Sequence, residues 1–140
     1  MEHTITEQVT GLDIVATQFH LAAGGLLTDL GLGDQASVPS PRGYAVQARV
    51  VATGPGQITA YKEPAGPGIR VDGSGYTGDA PPPQFDPLLA KVIGSSGFAP
   101  TLDAAVDRTL QALAEFHIVG LATNLGQLKA ILSRDEVRSG

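Results

Sequence analysis

Arg49 is a charged residue within an apolar segment, between Ala48 and Val50. A charge there must face solvent or meet a partner, because burying an unpaired charge is costly. A fixed guanidinium can stabilise a developing oxyanion or hold a carboxylate. The alternative is an edge-strand arginine in water. Arg49 is therefore the first candidate for a catalytic or ligand-binding role.

Two pairs of neighbouring residues could supply acid–base chemistry, namely Glu2-His3 and Phe85-Asp86. A carboxylate close to an arginine keeps a low pKa and can serve as a base or as an anchor. Spacing alone does not bring these residues together, and plain surface positions are the alternative. Glu2, His3 and Asp86 are candidate catalytic residues whose roles depend on the fold.

Two further patterns look chemical, but neither predicts a site. Residues 73–78 read GSGYTG, the spacing of a dinucleotide-binding fingerprint, which works only where a helix follows. Three prolines at 81–83 exclude that helix, so we interpret the segment as a turn. The histidines at 3, 20 and 117 lack the i, i+4 pairing of two ligands on one helix face. We predict no metal site.

Composition bounds the class of protein. The chain has 140 residues, 42% of them hydrophobic and 16% charged, as in a globular protein rather than a disordered one. A net charge of −5, 5% aromatics and no basic stripe argue against nucleic-acid binding. Cysteine is absent, and the N-terminus is not a signal peptide. No apolar run reaches the ~20 residues that span a bilayer, so we expect a cytoplasmic protein without a membrane partner.

The elements that must position these residues follow from periodicity. The apolar residues of 11–23 have helical spacing, and Thr6 or Thr10 is the predicted N-cap of this helix. Residues 26–41 are predicted to form a loop. Residues 43–52 alternate as a strand with Arg49 on one face and Ala48 and Val50 on the other. Residues 57–62 read as the returning strand, and further strands are predicted at 69–71 and 88–93.

The last third of the chain changes to helical periodicity. Thr101 is a good cap for an amphipathic helix over 102–116, and a second helix follows a short strand or loop at 117–123. The order of helix, antiparallel strands and helices predicts an α+β fold, an antiparallel sheet flanked by helices. We see no repeat or boundary, and predict one domain over 1–140.

Five ordered segments resemble the C-terminal domain of biotin carboxylases, the ATP-using half of acyl-CoA and pyruvate carboxylases. The similarity is to motifs such as Glu-His-x-Val-Thr-Glu and Gly-x-x-Thr-Asn. The segments are 2–7 (EHTITE) with 10–13 (TGLD), 43–49 (GYAVQAR), 64–72 (PAGPGIRVD), 82–91 (PPQFDPLLAK), and 112–116 (ALAEF) with 120–124 (GLATN).

The resemblance implies roles for individual residues. Glu2 corresponds to the family's base towards bicarbonate, and Arg49 to the arginine that binds the cofactor biotin and steadies its enolate-like oxygen. Asp86 lies where the family keeps an aspartate near that site. Arg70 falls in the segment that contributes to the family's dimer interface, which implies a homodimer.

Departures from the family pattern leave three functions open. The ATP-grasp segment that precedes the Glu-His motif in the family is not found in these 140 residues, and the turn after Arg49 is shortened. The first hypothesis is a domain that works only with carboxylase subunits carrying an ATP-grasp part, which would bring biotin, ATP and Mg²⁺. The second is a repurposed cofactor-free isomerase, dehydratase or cyclase, with a small-molecule ligand in the former biotin pocket. The third is a non-catalytic, dimerising assembly domain.

Two histories of the chain fit the same departures, an excised piece of a multidomain carboxylase and a stand-alone relative. Met1 directly precedes Glu2, within the family's active-site segment, which favours the stand-alone relative. On either history no cofactor is expected in this chain alone.

Overall fold

The computed structural model describes residues 4–82, 85–97 and 101–140, and its elements follow the α+β order predicted. The helices are α1 (Thr4–Thr10), α2 (Ile14–Ala22), α3 (Leu102–Glu115), α4 (Leu125–Leu132) and α5 (Asp135–Ser139). The strands are β1 (Ala45–Val51), β2 (Ala60–Lys62), β3 (Ile69–Gly73), β4 (Leu88–Ser95) and β5 (His117–Val119). Two short 3-10 helices at Leu27–Leu30 and Gln35–Ser37 lie in the predicted loop.

The main sheet is antiparallel in the order β1-β4-β3, so β4 is its central strand. Every residue of β4 after Leu88 is buried, because α3 covers one face of the sheet and α1 the other. The antiparallel sheet flanked by helices is confirmed. The predicted return of residues 57–62 alongside β1 is wrong, because β2 pairs with β5 in a separate two-stranded sheet.

The core lies between α3 and one face of the main sheet. The predicted cap of α3 is confirmed, since the Thr101 hydroxyl accepts a hydrogen bond from the backbone N–H of Ala104 at 3.3 Å. The helix then buries its apolar stripe against the alternate residues of β1 that the pattern placed on one face. The principal buried hydrophobic residues are Ala48, Val50, Ala90, Val92, Val106, Ala112, Leu113, Phe116 and Leu132.

The N-terminal segment differs from the single helix predicted over 11–23. Gly11 adopts φ +76°, a conformation that favours glycine and ends α1 rather than beginning a helix. Asp13, not Thr6 or Thr10, caps α2 by accepting from the N–H of Ala16 at 2.8 Å. No residue of α2 is buried, so its apolar face does not enter the core.

Candidate functional site

Arg49 lies on the face of the main sheet that α1 covers, opposite the hydrophobic core. In the register of the sheet it is directly opposite Lys91 of β4, and Lys91 is opposite Asp72 of β3. Cross-strand neighbours point to the same face of a sheet, so these three side chains form one row. The face predicted for Arg49 from strand alternation is confirmed.

The structure brings Arg49 and Asp86 together across 37 positions of sequence. Nη2 of Arg49 donates to Oδ2 of Asp86 at 2.7 Å, a short charge-assisted hydrogen bond. The side chains remain 37% and 60% exposed. The pair therefore holds the guanidinium in one orientation at a surface that a ligand can reach. The other candidates, Glu2 and His3, lie outside the described residues.

Asn124 fixes the backbone that carries Arg49. Its side-chain NH₂ donates to the carbonyl of Arg49 at 2.9 Å, and its side-chain oxygen accepts from the N–H of Val51 at 2.9 Å. Its own N–H donates to the carbonyl of Val51 at 3.2 Å. Asn124 thus bonds to the backbone at the edge of β1 in the way that a neighbouring strand would. The sequence patterns assign Asn124 no role, although it closes the Gly-x-x-Thr-Asn segment.

Replacing Asn124 by alanine should lower the free energy of unfolding by roughly 1–3 kcal/mol, because two backbone groups of β1 lose their partner. Urea denaturation followed by circular dichroism measures the change. Gln57→Ala is the matched control, since that amide also bonds to backbone, at 3.0 Å to Gly78, but on an exposed loop. Equal stabilities for Asn124→Ala and Gln57→Ala would contradict this account of β1.

Lys91 is a second cation of this site that sequence reasoning left without a role. It is only 7% exposed and lies directly opposite Arg49. Like charges on opposed strands disfavour pairing, unless carboxylates or a bound anion offset them. Asp86 and Asp72 supply carboxylates on either side of the two cations. Such an arrangement is suited to hold an anion or an oxygen that gains negative charge.

Arg70, the predicted dimer residue, is bound within its own chain. Its Nε donates to Asp72 and its Nη1 to Glu7, each at 2.9 Å. These hydrogen bonds, that of Asp72 first, raise the pKa of Arg70. Glu7 is only 10% exposed on its side chain, whereas Arg70 is 36% exposed. Arg70 therefore ties α1 to the sheet, and its role in a dimer stays a prediction.

Arg70→Ala should lower the free energy of unfolding by roughly 1–3 kcal/mol, because the largely buried carboxylate of Glu7 loses its cation. Thermal unfolding and sedimentation of the same samples separate the two roles, with the exposed Arg42→Ala as control. Dissociation of an oligomer without loss of stability would contradict the intrachain role.

The GSGYTG segment leaves β3 at Gly73 and forms a turn, as interpreted, and Gly73 and Gly75 have a packing reason. A Cβ on Gly73 would lie 2.0 Å from a carboxylate oxygen of Glu63, and one on Gly75 would lie 2.9 Å from the ring of Tyr61. The Tyr61 hydroxyl donates to Glu63 at 3.0 Å, and burial raises its pKa. These glycines therefore make room for the side chains of Glu63 and Tyr61. No helix begins at 74–82 that could hold a phosphate.

Among the described residues, no group of three His, Cys, Asp or Glu side chains could hold a metal ion. His20 lies 3.3 Å from Asp29, whose pKa is lowered by the Leu26 N–H and then by His20. Within the same residues, no helix has the length and apolar character needed to cross a bilayer.

Comparisons with known proteins indicate the family of this chain. A family model described as the biotin carboxylase C-terminal domain matches residues 45–140. Pyruvate carboxylase of Aspergillus niger is 38% identical over 142 residues, which cover 95% of this chain and 12% of that protein. The chain thus spans about one eighth of the length of such curated relatives.

Solved structures show the same fold over nearly the whole chain. The biotin carboxylase domain of a single-chain bacterial carboxylase has a TM-score of 0.91 and 43% identity, covering 99% of this chain and 33% of that one. The biotin carboxylase domain dimer of Hydrogenobacter thermophilus 2-oxoglutarate carboxylase, in complex with MgADP and bicarbonate, has a TM-score of 0.87 and 33% identity, with coverages of 99% and 31%. The chain therefore belongs to the biotin carboxylase C-terminal domain family.

Proposed function

We propose that this chain supplies Arg49 and Glu2 to the carboxylation of biotin by bicarbonate, together with an ATP-grasp part that binds the nucleotide. The observation that carries the proposal is the way Arg49 is held. The register of β1, the bonds of Asn124 to its backbone and Asp86 on Nη2 all restrict it, while the side chain stays 37% exposed.

The chemistry of this step suits a fixed guanidinium. The ureido nitrogen of biotin becomes a nucleophile towards a carboxyl group by losing its proton to a base, and the resulting negative charge lies largely on the ureido oxygen. A donor already oriented towards that oxygen stabilises the transition state without reorganising. Arg49 would be that donor, and Asp86 a positioning residue that keeps the guanidinium in place. The proposal assigns Glu2 the role of base towards bicarbonate, the role that the family resemblance implies and that a carboxylate can perform.

The described residues fit biotin and bicarbonate better than they fit a nucleotide. Lys91 and Arg49 form a cationic pair suited to an anion, and the Hydrogenobacter relative was solved with bicarbonate and MgADP. In contrast, no helix begins at 74–82 after the glycine-rich GSGYTG segment, as holding a phosphate there would require. Bound ATP and Mg²⁺ would activate bicarbonate, and another part of a carboxylase would have to hold them.

The test is ATP- and bicarbonate-dependent carboxylation of free biotin. The full chain is mixed with the ATP-grasp part of the bacterial relative, and phosphate release and carboxybiotin are measured. We expect activity from the mixture and much less from either component. No activity in any combination would overturn the proposal. Turnover of a small acid without ATP that depends on Arg49 would favour the repurposed enzyme instead.

A further inference from the structure

Helix α1 lies across the main sheet along a single row of residues. In the register of the sheet, this row consists of Gln47 of β1, Ile93 of β4 and Arg70 of β3. The Thr4 hydroxyl at the start of α1 donates to the side-chain oxygen of Gln47, at one end of the row. Glu7, one turn later, accepts from Nη1 of Arg70 at the other end, at 2.9 Å. Ile93 between them is fully buried. Helix α1 is therefore fixed at two points, over β1 and over β3.

The hydrogen bond between Thr4 and Gln47 fixes the start of α1. Thr4 is only 4% exposed, so water cannot readily replace Gln47 as the partner of its hydroxyl. Two further hydrogen bonds join α1 to the sheet, that of Glu7 with β3 and that of Gln8 with Ser95 of β4 at 3.4 Å. Both lie about one turn further along the helix. Loss of the Gln47 side chain should therefore free the start of α1 while the rest of the helix stays attached.

The row of Gln47 borders the row of Arg49. The two residues are two positions apart on β1, so their side chains point to the same face of the sheet, ~7 Å apart along the strand. Glu2 likewise precedes Thr4 by two positions, and two residues of chain reach at most ~7 Å. A backbone that is held at Thr4 over Gln47 therefore keeps the reach of Glu2 on the part of the face that carries Arg49.

We infer that Gln47 is a positioning residue, which holds the Thr4 end of α1 so that Glu2 is placed to act on bicarbonate beside Arg49. This inference rests on the proposed function, which makes Glu2 the base. A base must lie within hydrogen-bond reach of the proton that it removes, and a misplacement of about 1 Å can cost ~10²-fold in rate. The amide of Gln47 suits this role because it accepts the hydrogen bond of Thr4 without placing a negative charge next to the Arg49 guanidinium.

The test compares Gln47→Leu with Gln111→Leu in the mixture of the full chain and the ATP-grasp part of the bacterial relative. Gln111 is the matched control, since its amide bonds to Glu115 at 3.1 Å on the exposed side of α3. We expect Gln47→Leu to lower kcat for biotin carboxylation roughly 10- to 100-fold, and Gln111→Leu to retain the parental rate. Thr4→Val should lose as much as Gln47→Leu, whereas Thr4→Ser keeps the hydroxyl and should retain most of the rate.

Two further measurements separate positioning from a general loss of structure. In the Glu2→Gln background, Gln47→Leu should cause no further loss of rate, because the residue through which it acts is already removed. Phosphate release from ATP and bicarbonate before biotin is added should fall by the same factor in the parent and in the Arg49→Ala background, since this part of the reaction uses the base and not the guanidinium. Circular dichroism checks the fold of each variant.

The hydrogen bond itself is tested without any activity. Urea denaturation of Thr4→Val, Gln47→Leu and the double variant gives the coupling between the two side chains. We expect the double variant to lose less unfolding free energy than the sum of the two single variants, because both remove the same bond. Fully additive losses would remove the contact on which the inference rests.

Two outcomes of the kinetic test would overturn the inference and leave the proposed function intact. Gln47→Leu could be as active as Gln111→Leu, or its loss could add in full to that of Glu2→Gln, which would make its effect independent of the base. Failure of the proposed function looks different. In that case the parent mixture would not carboxylate biotin, and the catalytic role of Gln47 would fall with it, although Thr4 and Gln47 would still be coupled in unfolding.

Discussion

Arg49→Ala is expected to lower the rate of biotin carboxylation by ~10²–10³-fold in the mixture of the chain and the ATP-grasp part, as on removing one oxyanion donor. The loss should fall mainly on kcat, because the guanidinium interacts more strongly with the charged ureido oxygen of the transition state than with neutral biotin. Stability should change little, since the side chain points away from the core. Steady-state kinetics with free biotin measures the effect.

Two variants make this result specific. Arg49→Lys keeps the charge but not the planar fork that Asp86 orients, so it should recover only part of the rate. Arg134→Ala removes an exposed arginine at the start of α5 and should leave kcat unchanged. Equal activities of Arg49→Ala and Arg134→Ala would show that Arg49 has no part in the chemistry.

Gly94→Ala is expected to destabilise the chain by roughly 2–3 kcal/mol, because a single methyl group has no space between β4 and α3. A Cβ at this position would lie 2.6 Å from the backbone N of Thr109 and 2.9 Å from the carbonyl oxygen of Ala105. Backbone atoms cannot rotate away as a side chain can, so α3 must move off the sheet. Guanidinium denaturation, analysed with its m-value, measures the loss.

Gly126→Ala is the matched control for this prediction. Gly126 lies inside α4, and a Cβ there would have no heavy atom within 4 Å. Alanine is the better helix former, so this variant should be stabilised by about 0.5–1 kcal/mol. A Gly94→Ala variant as stable as the parent would mean that α3 does not pack on β4 as closely as described.

Much of the fold could be predicted because its signals are local. The alternation around Arg49 places Ala48 and Val50 in the core, and the structure confirms both. Thr101 and the stripe behind it likewise specify α3 without knowledge of any other element. The family resemblance is also confirmed. It could be predicted because the family's motifs are runs of neighbouring residues. One domain over 1–140 stays a prediction.

The predictions that are wrong concern segments whose pairing or burial depends on a distant part of the chain. The pairing of β2 with β5 places Lys62 opposite His117. No local pattern determines which strand a three-residue segment pairs with. The exposure of α2 is of the same kind. Its apolar spacing is that of a buried helix, but whether the face around Phe19 meets a core depends on what lies opposite it.

The candidate site divides in the same way. The sequence by itself determined that Arg49 is a charge on a strand whose other face is apolar, because side-chain direction alternates with every residue. Only the tertiary structure decided that Asp86 binds its guanidinium, that Asn124 holds its backbone and that Lys91 lies opposite. These contacts join residues 37, 75 and 42 positions from Arg49. Distances of that kind are set by strand register and loop paths, which depend on the packing of the whole sheet.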